Sequence, residues 1–286
     1  MKIVLSPNPY RDKGLKTAQA ASRILRNAGV ETCMCLPFTV EGGVEFPKHI
    51  VFEEMEQALK EADILICFGG DGTILHAAKD ANHYGVPILG VNLGSVGFMA
   101  ELEQGELSLL SKLAVGKYTI EPRMMLDVIV RRDHRVIFSD MALNDAVITK
   151  GAVARVVDLE VFSDKTLITS LSGDGVIIST PTGSTAYSMS AGGPIVEPTA
   201  ENFIVTPICP HSLNARTFVL GHERVVSARL GRQGRKTAYL SVDGGKAFKL
   251  SGGDRVEIKK AGTQTYLVRL TGRSFFEIMS QKLGRM

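Results

Sequence analysis

No apolar run approaches the roughly eighteen residues that a membrane-spanning helix needs, so spanning segments are excluded as an organising feature. The N-terminus lacks the basic start, apolar middle and small-residue cleavage site of a secretory leader, and the expectation is a cytoplasmic protein that engages no membrane. Cysteine is sparse. Cys33, Cys35, Cys67 and Cys209 lack the spacing of a zinc knuckle or a thioredoxin motif, and the six histidines are scattered, so no self-contained metal site is expected. Cys33 and Cys35 alternate onto one side of a strand, where a redox pair is conceivable, but they read better as small buried apolar residues. A net charge of +3 is too small to argue for nucleic acid and is compatible with anionic small substrates, so no nucleic-acid partner is expected. Neither an internal repeat nor a low-complexity linker appears. What remains is an ordinary globular composition, 44% hydrophobic and 22% charged, in 286 residues, enough for one large or two ordinary domains with real cores.

Against that background the segment after Ile64 stands out. Ile64–Phe68 reads as a buried strand that empties into Gly69, Gly70, Asp71, Gly72 and Thr73, with a helix expected from Ile74. A strand, a glycine turn and a helix present backbone amides to a phosphate, and the helix dipole adds positive potential. Asp71 does not fit that task, because a carboxylate repels an anion. It needs a metal, a ribose hydroxyl or a proton, or else it caps the helix. A dinucleotide fingerprint would want glycine where Leu75 stands, and no Lys-Ser/Thr pair follows to make a Walker loop.

The first hundred residues alternate strands (Lys2–Ser6, Val30–Leu36, Ile64–Phe68, Val86–Val91) with helices (Leu15–Ala28 and Phe52–Ala62). That alternation predicts an α/β domain with an open, Rossmann-like parallel sheet whose carboxyl edge holds Asp71 and the Asn92–Gly97 loop. Near residue 117 the rhythm changes to short alternating strands with Gly- and Asp-containing turns, the pattern of an all-β, sandwich-like domain. The domains are therefore expected at 1–116 and 117–270. The amphipathic tail Ser274–Leu283 would need to bury Phe275 and Phe276.

A second dense signal runs from Ser172 to Val196. Asp174 lies between two glycines, a strand follows, and Pro181-Thr182-Gly183-Ser184-Thr185 ends it in a hydroxyl-rich turn before Tyr187. Amides, hydroxyls, a carboxylate and one aromatic ring suit a base and a sugar, while a Ser/Thr-rich loop with a core tyrosine would look the same.

Taken together, the GGDGT run at Gly69–Thr73, Leu143-Asn144-Asp145 before an apolar strand, and the long segment through TPTGSTAYSMSAGGP resemble the NAD kinases over nearly the whole chain. The GGDGT run alone is shared with lipid and sugar kinases; the TPTGSTAY segment is more particular. The resemblance implies phosphorylation of the adenosine 2′-hydroxyl of NAD, with ATP or polyphosphate as donor and Mg²⁺ or another divalent cation. It implies Asp71 as the general base and Gly72 as part of the nucleotide contact. It also implies dinucleotide contacts from Asn144, Asp145, Arg155, Ser172, Asp174, Thr185, Ala186, Tyr187, Ser188, Met189 and Ser190, with Asn144, Asp145, Asp174 and Tyr187 converging in one pocket. The family further suggests a tail, 271–286, that rejoins the first domain, and a homodimer or homotetramer. Asp243-Gly244-Gly245 departs from the family's Asp-Gly-Gln and cannot supply its side-chain amide. A lipid or sugar kinase and a non-catalytic dinucleotide sensor are the alternatives. The former would want a basic cluster that does not stand out, and the latter has no need of Asp71.

Overall fold

The computed structural model describes residues 1–94, 97–151, 156–212, 214–231 and 237–284. The chain divides into two compact units, Met1–Pro122 with Thr265–Met286, and Arg123–Gln264.

The first unit opens with β1 (Lys2–Pro7), α1 (Lys16–Asn27), β2 (Glu31–Met34), α2 (Met55–Leu59), β3 (Ile64–Gly69), α3 (Asp71–Tyr84), β4 (Ile88–Asn92), β5 (Leu102–Glu103) and α4 (Ser111–Ala114). Strands β2, β1, β3 and β4 pair in that order, all parallel. Both faces of such a sheet are covered, which explains why β3 and β4 are buried at every position. The buried residues of α1 include Ala18, Ala21 and Leu25, the spacing of one helical face. The buried Asp12 carboxylate starts that helix by accepting from the Thr17 and Ala18 amides, both at 2.9 Å. Of the helix expected over Phe52–Ala62 only five residues form, because Phe52 instead makes a parallel bridge with Met34 and its ring meets Phe46 edge-on.

The second unit follows with β6 (Thr119–Arg132), β7 (Arg135–Ala142), β8 (Asp145–Lys150), β9 (Val157–Ser163), β10 (Thr166–Gly173), β11 (Gly175–Ser179), α5 (Tyr187–Ser190), β12 (Asn202–Ile208), β13 (Phe218–Gly221), β14 (Val226–Leu230), β15 (Ala238–Val242), β16 (Phe248–Leu250) and β17 (Arg255–Arg269). One antiparallel sheet runs β13-β12-β11-β8-β15-β16, and a second contains β10-β9-β14-β17 and the β6–β7 hairpin. Alternate residues of both, such as Val128, Val161 and Val226 from one and Ile148, Ile178 and Phe203 from the other, share one core, so this unit is a β-sandwich. Strands β6 and β17 run through the residues where the division falls, a few residues beyond the change of pattern near 117.

The end of β17 re-enters the first unit, where Leu267 pairs with Ile88 of β4. The buried Glu101 fixes this return: its carboxylate accepts from the Leu270 and Thr271 amides at 2.7 and 2.6 Å, and Arg269 reaches it at 3.2 Å. The terminal helix α6 (Phe275–Leu283) then begins on a Ser274–Glu277 capping box. Its Ile278 is buried and Phe275 lies 6.2 Å from the Phe98 ring. Phe276 remains 58% exposed, contrary to expectation. One residue turns a helix by about 100°, so a lone terminal helix cannot bury both neighbours.

Candidate active site

Asp71 opens α3 directly, one turn earlier than the sequence suggested, and Gly70 is the capping residue. The carboxylate serves another purpose than capping. One oxygen accepts from the Phe98 amide at 2.8 Å and the other from the Met99 amide at 3.2 Å. The loop must come very close to do this: a Cβ on Gly97 would stand 2.1 Å from an Asp71 oxygen, so any other residue there would push the carboxylate from its amides. Arg269 in turn donates to the Met99 carbonyl at 3.3 Å, which ties the loop to the returning strand. A carboxylate has about four lone-pair sites, and two amides leave others for a substrate proton.

Around Asp71 is a cavity of about 380 Å³ lined by Asn8, Arg11, Phe38, Gly70, Gly72, Thr73, His76, Gly97 and Lys282. Asn8 and Arg11 follow β1, Phe38 follows β2, Gly70–Thr73 follow β3 and Gly97 follows β4. Four strand ends thus build it at the carboxyl edge of the parallel sheet, where open α/β sheets bind ligands. Arg11 lies across the glycine turn, with Nη1 3.7 Å from where a Cβ on Gly70 would be. The Phe38 ring sits between Tyr10, stacked at 6.0 Å, and His76, tilted at 5.7 Å. Exposed amides, an arginine, a lysine and flat rings can take a nucleotide's phosphates and base. Of these features the glycine turn, Asp71 and the loop ending at Gly97 were legible in the sequence, and Arg11, Phe38, His76 and Lys282 were not.

In the β-rich unit the Leu143–Asp145 segment is held by Asp243, whose carboxylate accepts from the Leu143, Asn144 and Asp145 amides at 2.7, 2.8 and 3.0 Å. The Asp-Gly-Gly turn therefore works through its aspartate, a role its sequence does not announce. Thr180 fastens the other side, donating from its amide to the Asn144 carbonyl at 2.9 Å and from its hydroxyl to the Leu143 carbonyl at 2.6 Å. The turn after β11 is pressed onto this segment: a Cβ on Gly183 would meet the Asn144 carbonyl oxygen at 2.1 Å. The Asn144 side-chain Oδ1 is buried with no hydrogen-bond partner among the described residues. Such an atom is costly unless a ligand donates to it. Asp145 is only 5% exposed; burial and, secondarily, the nearby Asp243 charge push its carboxyl up to about 7.

The remaining expected residues divide. Thr185, Ala186 and Met189 are half-buried and Tyr187 and Ser190 exposed on the same turn and helix as Gly183, open to a ligand. Ser188 is buried, its hydroxyl 2.8 Å from that of Thr206, and fixes α5. Asp174 does not join Asn144. In the β8–β11 register Ser179 pairs with Asp145 but Gly175 with Thr149, so Asp174 lies at the opposite end, some five residues or roughly 17 Å along the strand. There it pairs with Lys150 at 2.5 Å, and Ser172 lines a separate cavity with Asp158, Ser170 and Arg229. Asn144 and Asp145 thus lie at one end of the β8–β11 pair and Asp174 at the other. Arg155 and part of the Asn92–Gly97 loop lie outside the described residues. Cys33, Cys35 and Cys67 are buried and Cys209 exposed; burial pushes the Cys67 thiol up to about 12. Among the described residues no helix is long and apolar enough to cross a membrane, and no group of three or more His, Cys, Asp or Glu side chains could hold a metal ion.

Two family models match the chain: the ATP-NAD kinase N-terminal domain over residues 3–118 and the ATP-NAD kinase C-terminal domain over residues 143–270. The NAD kinase of Natranaerobius thermophilus is 43% identical, with 98% of this chain and 97% of that protein covered. The NAD kinase of Acetivibrio thermocellus is 37% identical, with 99% and 97% covered. Among solved structures, yeast NADH kinase complexed with NADH superimposes with a TM-score of 0.83 at 26% identity, covering 99% of this chain and 87% of that one. An Archaeoglobus fulgidus NAD kinase in complex with ATP gives 0.75 at 24% identity, covering 98% and 99%, and supports the fold.

Proposed function

The chain belongs to the ATP-NAD kinase family, and we propose that its Asp71 cavity receives the donor ATP while Asn144, Asp145 and the Thr185–Ser190 turn hold NAD. The enzyme is a phosphotransferase that acts on an alcohol group. Asp71 is the general base for the 2′-hydroxyl of the adenosine ribose. The observation that carries this is its carboxylate, held by two loop amides beside a glycine turn and aimed away from any capping duty. A ribose hydroxyl loses its proton far above neutral pH, so a positioned acceptor in the transition state supplies about 10²–10⁴-fold in rate, roughly 3–5 kcal/mol. The remainder is positioning and charge. The Gly70–Gly72 amides and Arg11 offset the charge on the transferring phosphoryl group. The orphaned Asn144 Oδ1 suits an exocyclic amine of the dinucleotide, and Asp145 suits ribose hydroxyls.

Among the described residues that line the cavity the one carboxylate is Asp71, so a divalent ion there would be held by it together with the donor's own phosphates, the usual habit of Mg²⁺. When bound, the ion neutralises phosphate charge. We also assign the enzyme to the cytoplasm and to a homodimer or homotetramer. The terminal strands β10 and β13 expose Leu167 and Val219 and favour a covered edge. The decisive assay is NADP formation from NAD, ATP and Mg²⁺ by the parent and by Asp71→Asn. The variant should bind NAD as before and turn over at least about a hundredfold more slowly. Turnover within a few-fold of the parent would remove Asp71 from the chemistry.

A further inference from the structure

We propose that Lys282, on the C-terminal helix, binds the phosphates of the donor nucleotide, so that the tail of the chain is part of the active site. The inference rests on assigning the Asp71 cavity to the donor. Arg11 and Lys282 are the arginine and lysine that line this cavity, entering from β1 and from α6. Neither side chain pairs with a carboxylate among the described residues. The Lys282 ammonium instead rests 4.0 Å from the centroid of the Phe98 ring. That is a modest interaction, about 0.5–1 kcal/mol at an accessible site. Hydrogen bonds between an ammonium and a phosphate oxygen are stronger, so a triphosphate in the cavity draws the lysine off the ring.

Position supports the same reading. Phe275 and Lys282 are seven residues apart, two turns of one helix, and both contact Phe98. Phe98 supplies one of the two amides that hold Asp71. The helix is therefore anchored through Phe275 on the loop that positions the base, with its last-turn lysine over the cavity. Charge points the same way. A nucleoside triphosphate carries about four negative charges, and Asp71 adds another beside it. A divalent ion, Arg11 and the glycine amides together still leave part of that charge unmatched. A lysine is a flexible point charge suited to following a phosphoryl group as it moves.

Kinetics with ATP and NAD varied separately test this in the full-length enzyme, using Lys282→Met, Lys282→Arg and Arg11→Met. Removal of one charge-assisted contact should raise the KM for ATP about tenfold or more in Lys282→Met, with the KM for NAD within twofold. Lys282→Arg, which keeps a cation, should recover most of the loss. If Arg11→Met raises the KM for ATP and Lys282→Met does not, the lysine assignment fails alone. Equal impairment of Lys282→Met and Lys282→Arg would overturn it too, as that shows a packing role. If Arg11→Met and Lys282→Met both leave the KM for ATP unmoved, the cavity is not the donor site and both readings fall.

Discussion

Replacement of Asp145 by Asn should stabilise this enzyme, and more so as the pH rises. Asp145 begins β8 almost wholly buried, beside the charge of Asp243, and its carboxyl sits at about 7 instead of an ordinary 3.8. The folded protein thus keeps a proton that the unfolded chain has already released. For an acid shifted upward, stability is unaffected below about pH 4, falls steadily as the pH rises from there to about 7, and carries the whole penalty above. A shift of that size is a ceiling of about 4 kcal/mol. Asn is neutral and nearly isosteric, so the variant avoids the penalty at every pH. Part of the ceiling will be lost to local relaxation around the buried charge, leaving a gain of about 2–3 kcal/mol at pH 8. In a chain of this length each kcal/mol moves the melting temperature by about 2–4 °C. The test is a thermal melt of parent and variant from pH 4 to pH 8 without ligands. The two curves should coincide at the acid end and separate by several degrees at pH 8. Parallel curves, or a gap that widens toward acid, would refute the reasoning and show that Asp145 is ionised at little cost in the fold.

Other substitutions probe the scaffolding. Gly97→Ala places a methyl 2.1 Å from an Asp71 oxygen and should cut turnover by about a hundredfold while the melting temperature changes little, since the loop can yield by displacing the carboxylate. Wild-type turnover in Gly97→Ala would mean that Asp71 need not stay where its amides hold it. Asp243→Ala removes the acceptor from three backbone amides and should destabilise the β-rich unit by about 2–4 kcal/mol, read as a lower urea midpoint. The same change should lower the pH at which Asp145 titrates, measurable by NMR on the Asp145 carboxyl carbon.

Much of the scaffold was legible because its signals are local. The unbroken apolar run of Ile64–Phe68 reads as a buried parallel strand, and the Gly69–Thr73 turn that follows sits at the sheet edge where such a turn belongs. The period-two pattern from Leu126 onward likewise gives antiparallel strands. What escaped depends on distance through space. Arg11, Phe38 and Lys282 carry no motif, and they meet only because strands β1 and β2 end at the same edge as β3 and the chain returns through β17. Asp174 and Asn144 look equivalent in sequence, yet the β8–β11 register sets them at opposite ends of a strand. Asp243 looked like a defective motif because the missing side chain at Gly245 drew attention from the carboxylate two residues before it. Phe275 and Phe276 form one apolar pair on paper, but a helix can turn only one of them inward.

Titration alone would nominate a different base. A general base works best with a pKa near the working pH, and Asp145, at about 7, meets that criterion. Its surroundings argue otherwise. Burial and the neighbouring Asp243 raise it, and it lies on the segment that carries the unpartnered Asn144 Oδ1, an arrangement for holding a polar ligand. Asp71 lies instead at the mouth of a helix, within a cavity that offers amides and cations to phosphate. The two roles separate in kinetics. With Asp145 holding NAD as proposed, its contact is made equally in the ground and transition states, so Asp145→Asn should raise the KM for NAD several-fold and leave kcat near the parent value. Asp71→Asn should do the reverse. A collapse of kcat in Asp145→Asn, with Asp71→Asn still active, would exchange their roles and move the chemistry to the β-rich unit.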